Sequence, residues 1–160
     1  MTRSRPEEVE FSADRTGDVV ARMQTLAVSG SGWINLRPVV DPEDEPEPPG
    51  LFAIFGGSPH KVPLATWMPG RAREEAGPPD TTVGLQHAAG PRVARRLAEA
   101  GLPLPDGWKV TQDHPRRGLV AKVPPGDEAA VLAWMLRACR TVTAVPLTER
   151  WRVSVHTRLA

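Results

Sequence analysis

The sequence predicts an α+β domain: a mainly antiparallel sheet with about three helices packed on it, residues 1–160 forming a single unit. Three observations carry that expectation. Apolar residues recur at three- and four-residue spacing in three separated runs, as helices with one buried face require. Between these runs lie short stretches in which apolar and polar residues alternate, the period of a strand buried on one side. The 18 prolines and 14 glycines fall mostly at the joints between such segments. At 160 residues, folding buries roughly 70% of the surface the unfolded chain exposes, so one core suffices without a staple.

The first helix is expected in DRTGDVVARMQTLAVSG, where Val19, Val20, Met23, Leu26 and Ala27 share a face, Asp14 or Thr16 caps the start and Gly30 ends it. GWINLRPVV follows as a strand in which Trp33, Asn35 and Arg37 alternate with Ile34, Leu36 and Pro38. The stretch DPEDEPEPPG (41–50) has four prolines without amide donors and five mutually repelling carboxylates, and reads as a mobile, solvated loop. LFAIFGGSPHKVPLATWM reads as two apolar strands about the turn Gly57-Ser58-Pro59-His60, with Pro63 demoting the second to an edge or a late start. A second mobile loop, at 70–80, leads to the short strand TTVGLQH.

Gly90 and Pro91 then open a helix over PRVARRLAEAG, with Pro91 in the first helical position, Val93, Ala94, Leu97 and Ala98 inward, and Gly101 closing it. GWKVTQDHPRRGLVAKV reads as a hairpin, with Trp108, Val110 and Gln112 alternating on one strand and Leu119, Ala121 and Val123 on the other. The strongest helix lies in PPGDEAAVLAWMLRACRTV: Asp127 and Glu128 suit its positive end, Arg137 and Arg140 its negative end, and its apolar middle marks it as the most buried. ERWRVSVHT closes as a strand with Trp151, Val153 and Val155 on one face. The order helix, glycine-tryptophan strand, polar connection, apolar strand occurs twice, which a weak internal duplication of a helix-hairpin unit would produce.

A hydrophobic fraction of 40% and a charged fraction of 24% exclude wholesale disorder and fibrous repeats. Cys139 is the sole cysteine and lies in an apolar helical run, so a buried, inert thiol and a reducing cytoplasm are expected. The opening MTRSRPEEVEFSADR has no apolar core of a secretory signal, and no later run approaches the ~20 apolar residues of a membrane span. Only Lys61, Lys109 and Lys122 are lysines among 20 basic residues, an arginine bias expected of a GC-rich bacterial genome. The formal net charge is +1, yet residues 1–80 hold 8 basic and 13 acidic side chains while residues 81–160 hold 12 and 6. Two such halves can steer different partners, or each other.

The stretch QDHPRRG concentrates a carboxylate, an imidazole and two guanidiniums between Asp113 and Gly118. Pro115 and Gly118 suit a hairpin turn. His114, Arg116 and Arg117 would suit an exposed anion contact, joined by Arg92, Arg95 and Arg96 if the fold brings the helix and the hairpin together. A second candidate is GLQHAAGPRVARR, where His87 and Gly90 lead into a helix start whose amides would hold a ligand. The phosphate-cradling patterns GxGxxG and GxxxxGK[ST] are missing from it.

His60, His87, His114 and His156 show no metal-ligand spacing, GxSxG is absent, and SGSG at 29–32 reads as a flexible link, so no catalytic residue, metal or cofactor is expected. Trp33, Trp108 and Trp151 alternate with strand residues and read as buried, which leaves no aromatic platform for single strands. The leading expectation is a non-catalytic protein-binding or adaptor domain, with a protein partner or a second copy of itself and no membrane. The alternative is a nucleic-acid or phosphate-binding protein using the arginine face, followed by an enzyme with a non-local active site.

Overall fold

Alternation sorts the side chains of each strand into two rows, and burying one of them dictates where the helices sit. The computed structural model describes residues 5–45, 60–71 and 79–158. Among these, the chain order is β1 (Glu7–Ser12), α1 (Gly17–Ser29), β2 (Trp33–Pro38), a 3-10 turn (Pro42–Asp44), β3 (Leu64–Met68), β4 (Thr81–Gln86), α2 (Val93–Glu99), β5 (Lys109–His114), β6 (Gly118–Val123), α3 (Glu128–Val142) and β7 (Arg150–His156). The seven strands form one antiparallel sheet in the order β1-β7-β2-β3-β4-β6-β5. This is the α+β architecture expected.

The inward row includes Phe11, Trp151, Val153, Ile34, Leu36, Trp67, Val83, Leu85, Leu119 and Val123. All three helices pack on it. α1 contributes Val19, Met23 and Leu26, and α2 contributes Val93 and Leu97. α3 is the central helix, with Val131, Leu132, Trp134, Met135, Leu136, Ala138, Cys139 and Val142 buried. Each large apolar side chain removed from water stabilises the fold by roughly 1.5–3 kcal/mol. The Arg140 guanidinium lies 5.7 Å from the ring centre of Trp151, joining the helix end to the sheet. Burial pushes the Cys139 thiol up to about 12, so it stays protonated at neutral pH.

The end of α1 matches expectation, with Gly30 left-handed at φ 63° and its N–H bonded to Leu26 O. Its start differs: Thr16 is the cap residue but makes no side-chain cap bond, and Asp14 instead accepts from Ser12 Oγ. β3 begins directly after Pro63 and lies between β2 and β4, so proline delays an interior strand rather than marking an edge. α2 begins at Val93 with Arg92 left-handed at its cap, so Pro91 stands ahead of the helix and not in its first position. α3 is capped by Asp127, whose side chain accepts from Ala130 N.

β1 was not anticipated, although Val9 and Phe11 alternate with Glu8 and Glu10. The tryptophans also divide differently. Trp67 and Trp151 are fully buried, whereas Trp33 and Trp108 are half-buried. α1 and α2 each precede an antiparallel pair, β2-β3 and β5-β6, but nothing shows a duplication. Of the two expected mobile loops, 41–45 holds the 3-10 turn, while 46–50 and 72–78 lie outside the described residues, as does the apolar run 51–55. No described helix is long and apolar enough to cross a membrane.

Candidate functional site

Residues opposite each other in an antiparallel ladder point to the same face, so the register assigns the face turned away from the helices. Its central row runs Glu8, Ser154, Asn35, Thr66, Gly84, Val120 and Gln112. A flanking row holds His156 and Trp33 on one side and Met68, Thr82, Lys122 and Lys109 on the other. The described side chains of this face are half-buried or exposed, apart from Gly118.

On the β1-β7-β2 side, polar groups answer one another. Glu10 receives Arg150 Nε at 2.7 Å and Arg152 Nη2 at 3.7 Å. The Arg150 hydrogen bond is the main reason the Glu10 carboxyl titrates below its ordinary 4.5. Ser154 Oγ donates to Glu8 Oε1 at 2.7 Å. The rings of Trp33 and His156 stack with centroids 4.5 Å apart and planes 6° from parallel. Asn35 binds both neighbours: its Oδ1 accepts from Thr66 Oγ1 at 2.8 Å, and its Nδ2 lies 3.4 Å from His156 Nε2. At this same edge, Arg22 of α1 pairs with Glu7 at 2.6 Å and lowers that carboxyl too.

On the β4-β6-β5 side the pattern reverses. Lys109 stands directly opposite Lys122. Lys122 Nζ donates to Thr82 Oγ1 at 2.9 Å, and among the described residues no carboxylate lies within ion-pair distance of either lysine. Exposed Met68 lies in the same row, across Thr82 from Lys122, and β5 has an irregular register just after Val110.

The turn joining β5 to β6 accounts for much of QDHPRRG. Nδ1 of His114 accepts from the backbone N–H of both Arg116 and Arg117 at 3.1 Å, as an aspartate or asparagine would in a turn. A side chain at Gly118 (φ +86) would strike the Leu85 carbonyl, so β6 can approach β4 only with glycine there. Asp113 reaches out of β5 to cap α2, accepting from Val93 N and Ala94 N at 3.1 Å each. That clamp ties the start of α2, where Arg92 is the cap residue, to the strand leading into the turn that carries Arg116 and Arg117. Arg95 pairs with Glu99 at 3.0 Å, and Arg96 donates to the Ala89 carbonyl. Of the six predicted anion-contact residues, Arg92, Arg96, Arg116 and Arg117 are exposed with no ion pair among the described residues.

His87 is 2% exposed. Its Nδ1 accepts from Ala89 N at 3.1 Å, which places the proton on Nε2, and that atom has no described partner. Burial depresses its pKa below 6.5, with Asp113 opposing the shift and Arg96 and His60 adding to it. The helix amides nearest His87 and Gly90 are those already held by Asp113, so an anion there would compete with an internal carboxylate.

Two clefts stand out. One, of about 500 Å³, lies at the sheet end near Gly32, Arg71, Thr82, Lys122 and Arg158. The other, of about 300 Å³, lies between Trp108, Pro124, Pro125 and the start of α3. Neither is lined by His87 or His114. Carboxylates of Asp41, Glu43 and Asp44 lie within 4.8 Å of one another in the 3-10 turn, two of them exposed, as solvated acids commonly do. Compared with known proteins, the chain matches no family model, and no curated protein or solved structure is significantly similar to it.

Sequence reading alone missed the Asp113 clamp, the lysine pair and the Trp33–His156 stack. The alternation of WKV against AKV placed both lysines on strands. Their exact opposition depended on the register of a hairpin with an irregular strand.

Proposed function

We propose that the protein is a non-catalytic protein-binding domain that receives an acidic partner surface on the β4-β6-β5 half of its open face. The reading rests above all on Lys109 standing opposite Lys122. Like charges facing each other across a ladder weaken a sheet, and an acidic partner would relieve that repulsion on binding. Exposed Met68 beside the pair offers a flexible apolar contact of the kind protein interfaces favour.

The exposed turn arginines Arg116 and Arg117, at the other end of the β5-β6 hairpin from the lysine pair, add positive charge to the same half. A single-stranded nucleic acid fits this half less well, because such ligands stack their bases on exposed rings. Trp33 stands on the other half, already stacked on His156. The edges disfavour binding by strand addition: β5 is irregular and carries Lys109, and β1 carries Glu7, Glu8 and Glu10.

The test immobilises the wild-type protein and its Lys109→Glu/Lys122→Glu variant, challenges both with cell extract, and identifies what is retained. Acidic proteins held by the wild type, released as salt rises and lost in the variant support the reading. Retention indifferent to the reversal would refute it. A gel shift of a single-stranded oligonucleotide that the reversal abolishes would replace it with phosphate-backbone binding.

A further inference from the structure

We infer that the cleft at the end of the sheet is a binding site for a small phosphorylated molecule. Five stretches of the chain build it: the Gly30-Ser31-Gly32 link, residues 68–71 at the end of β3, Pro79, Asp80 and Thr82 at the start of β4, Lys122 of β6, and Arg158 beyond β7. Its charge is one-sided. Among the described residues, Arg71, Lys122 and Arg158 line it against one carboxylate, that of Asp80, and none of the three cations is in an ion pair.

The donors suit phosphate. An arginine presents a planar fork of N–H groups that matches two phosphate oxygens, and a lysine adds a point charge with three donors. Lys122 uses one donor on Thr82 Oγ1 and keeps two. Three cations less the Asp80 carboxylate leave a formal charge that balances the about −2 of a phosphate monoester, and Asp80 can accept from a ligand hydroxyl. At about 500 Å³ the cleft exceeds bare phosphate and lies within the ~300–1,000 Å³ of small-molecule sites. Met68, Pro69 and Pro79 supply apolar wall for the organic part.

The walls are fixed in advance, which lowers the ordering cost of binding. A side chain at Gly32 (φ +87) would strike the His156 carbonyl, and one at Gly70 would strike the Asp80 carbonyl, so these loops meet backbone to backbone. Ser29 Oγ donates to Leu26 O at 3.0 Å and contacts Ser31, holding the link against α1. The SGSG segment is therefore a wall of the cleft, where its composition alone suggested a flexible spacer.

The cleft shares Lys122 and Met68 with the proposed protein-contact surface, but Arg71 and Arg158 stand outside the lysine pair, so replacing those two arginines tests the cleft separately. The experiment is an amide NMR titration at fixed ionic strength with inorganic phosphate, glycerol 3-phosphate and, as a control for charge alone, malonate. The expected result is saturable shifts at Ser31, Gly32, Gly70 and Thr82. Glycerol 3-phosphate should bind more tightly than phosphate, and malonate more weakly than either. In Arg71→Ala/Arg158→Ala, with an otherwise unchanged spectrum, binding of glycerol 3-phosphate should weaken at least about tenfold, the scale of losing charge-assisted hydrogen bonds. Absence of saturation at millimolar ligand would overturn the site, as would equal affinity in the double variant, shifts centred on the His114–Gly118 turn, or a preference for malonate.

Discussion

The two halves of the open sheet face are built from the same kinds of residue and arrive at opposite electrostatic outcomes. Beside β1 and β7, each carboxylate of the face meets a guanidinium or hydroxyl, and Trp33, His156, Asn35 and Thr66 form one connected group. Beside β5 and β6, Lys109 faces Lys122, and the turn arginines extend into solvent. The comparison teaches that charge segregation along a chain says little until strand order is known. Glu10 of the acidic half pairs with Arg150 and Arg152 of the last strand, so part of the asymmetry is neutralised within the fold. What remains uncompensated among the described residues is the part with no acid beside it.

The largest expected effect breaks the compensated half. Trp33→Ala removes a ring stack worth about 0.5–1.5 kcal/mol and exposes part of the sheet, for a total loss of about 2 kcal/mol in denaturant unfolding. An unchanged midpoint would show that the stack is ornamental. Next, Asp113→Ala leaves two amides of α2 without their acceptor and should cost about 1–2 kcal/mol. Hydrogen exchange at Val93 and Ala94 should rise in that variant, while the β1-β7 ladder stays protected.

Acid sharpens the comparison further. His87 is depressed by burial, so the unfolded chain takes up a proton before the native one does. Stability should therefore fall as pH drops from about 6.5 toward the lower native value, then level off in that respect once native His87 is itself protonated. His87→Asn preserves an acceptor for Ala89 N–H and should flatten this limb of a melting-temperature profile. Glu10, held low by Arg150 and Arg152, contributes stability above its ordinary 4.5 that is lost as pH falls through its native value. Glu10→Gln should shrink that lower limb, to which Glu7 and Asp14 also contribute, and leave the His87 limb in place. The smallest effect belongs to His114→Asn, which keeps a turn acceptor and should leave the midpoint nearly unmoved.

Periodicity made the three helices, the hairpin and the last strand legible, because burial of one face leaves a repeating signature. Residues 7–12 carried the same signature in Val9 and Phe11, obscured by three glutamates that pair with arginines at positions 22, 150 and 152 and with Ser154. The candidate site was harder to read. Asp113 caps a helix that begins twenty residues earlier, and the phosphate cleft draws on residues from 30 to 158. Local sequence fixes which face of an element is apolar, but it cannot say which polar groups of distant elements will meet.

Unfolding of Lys109→Glu beside wild type, at low and at high salt, tests the central claim most directly. Replacing a facing like-charge pair by an opposite one should raise stability by about 0.2–1 kcal/mol at low salt, with the gain shrinking as salt screens both pairs. A loss of stability, or a gain indifferent to salt, would mean that this half of the sheet is not held under uncompensated charge.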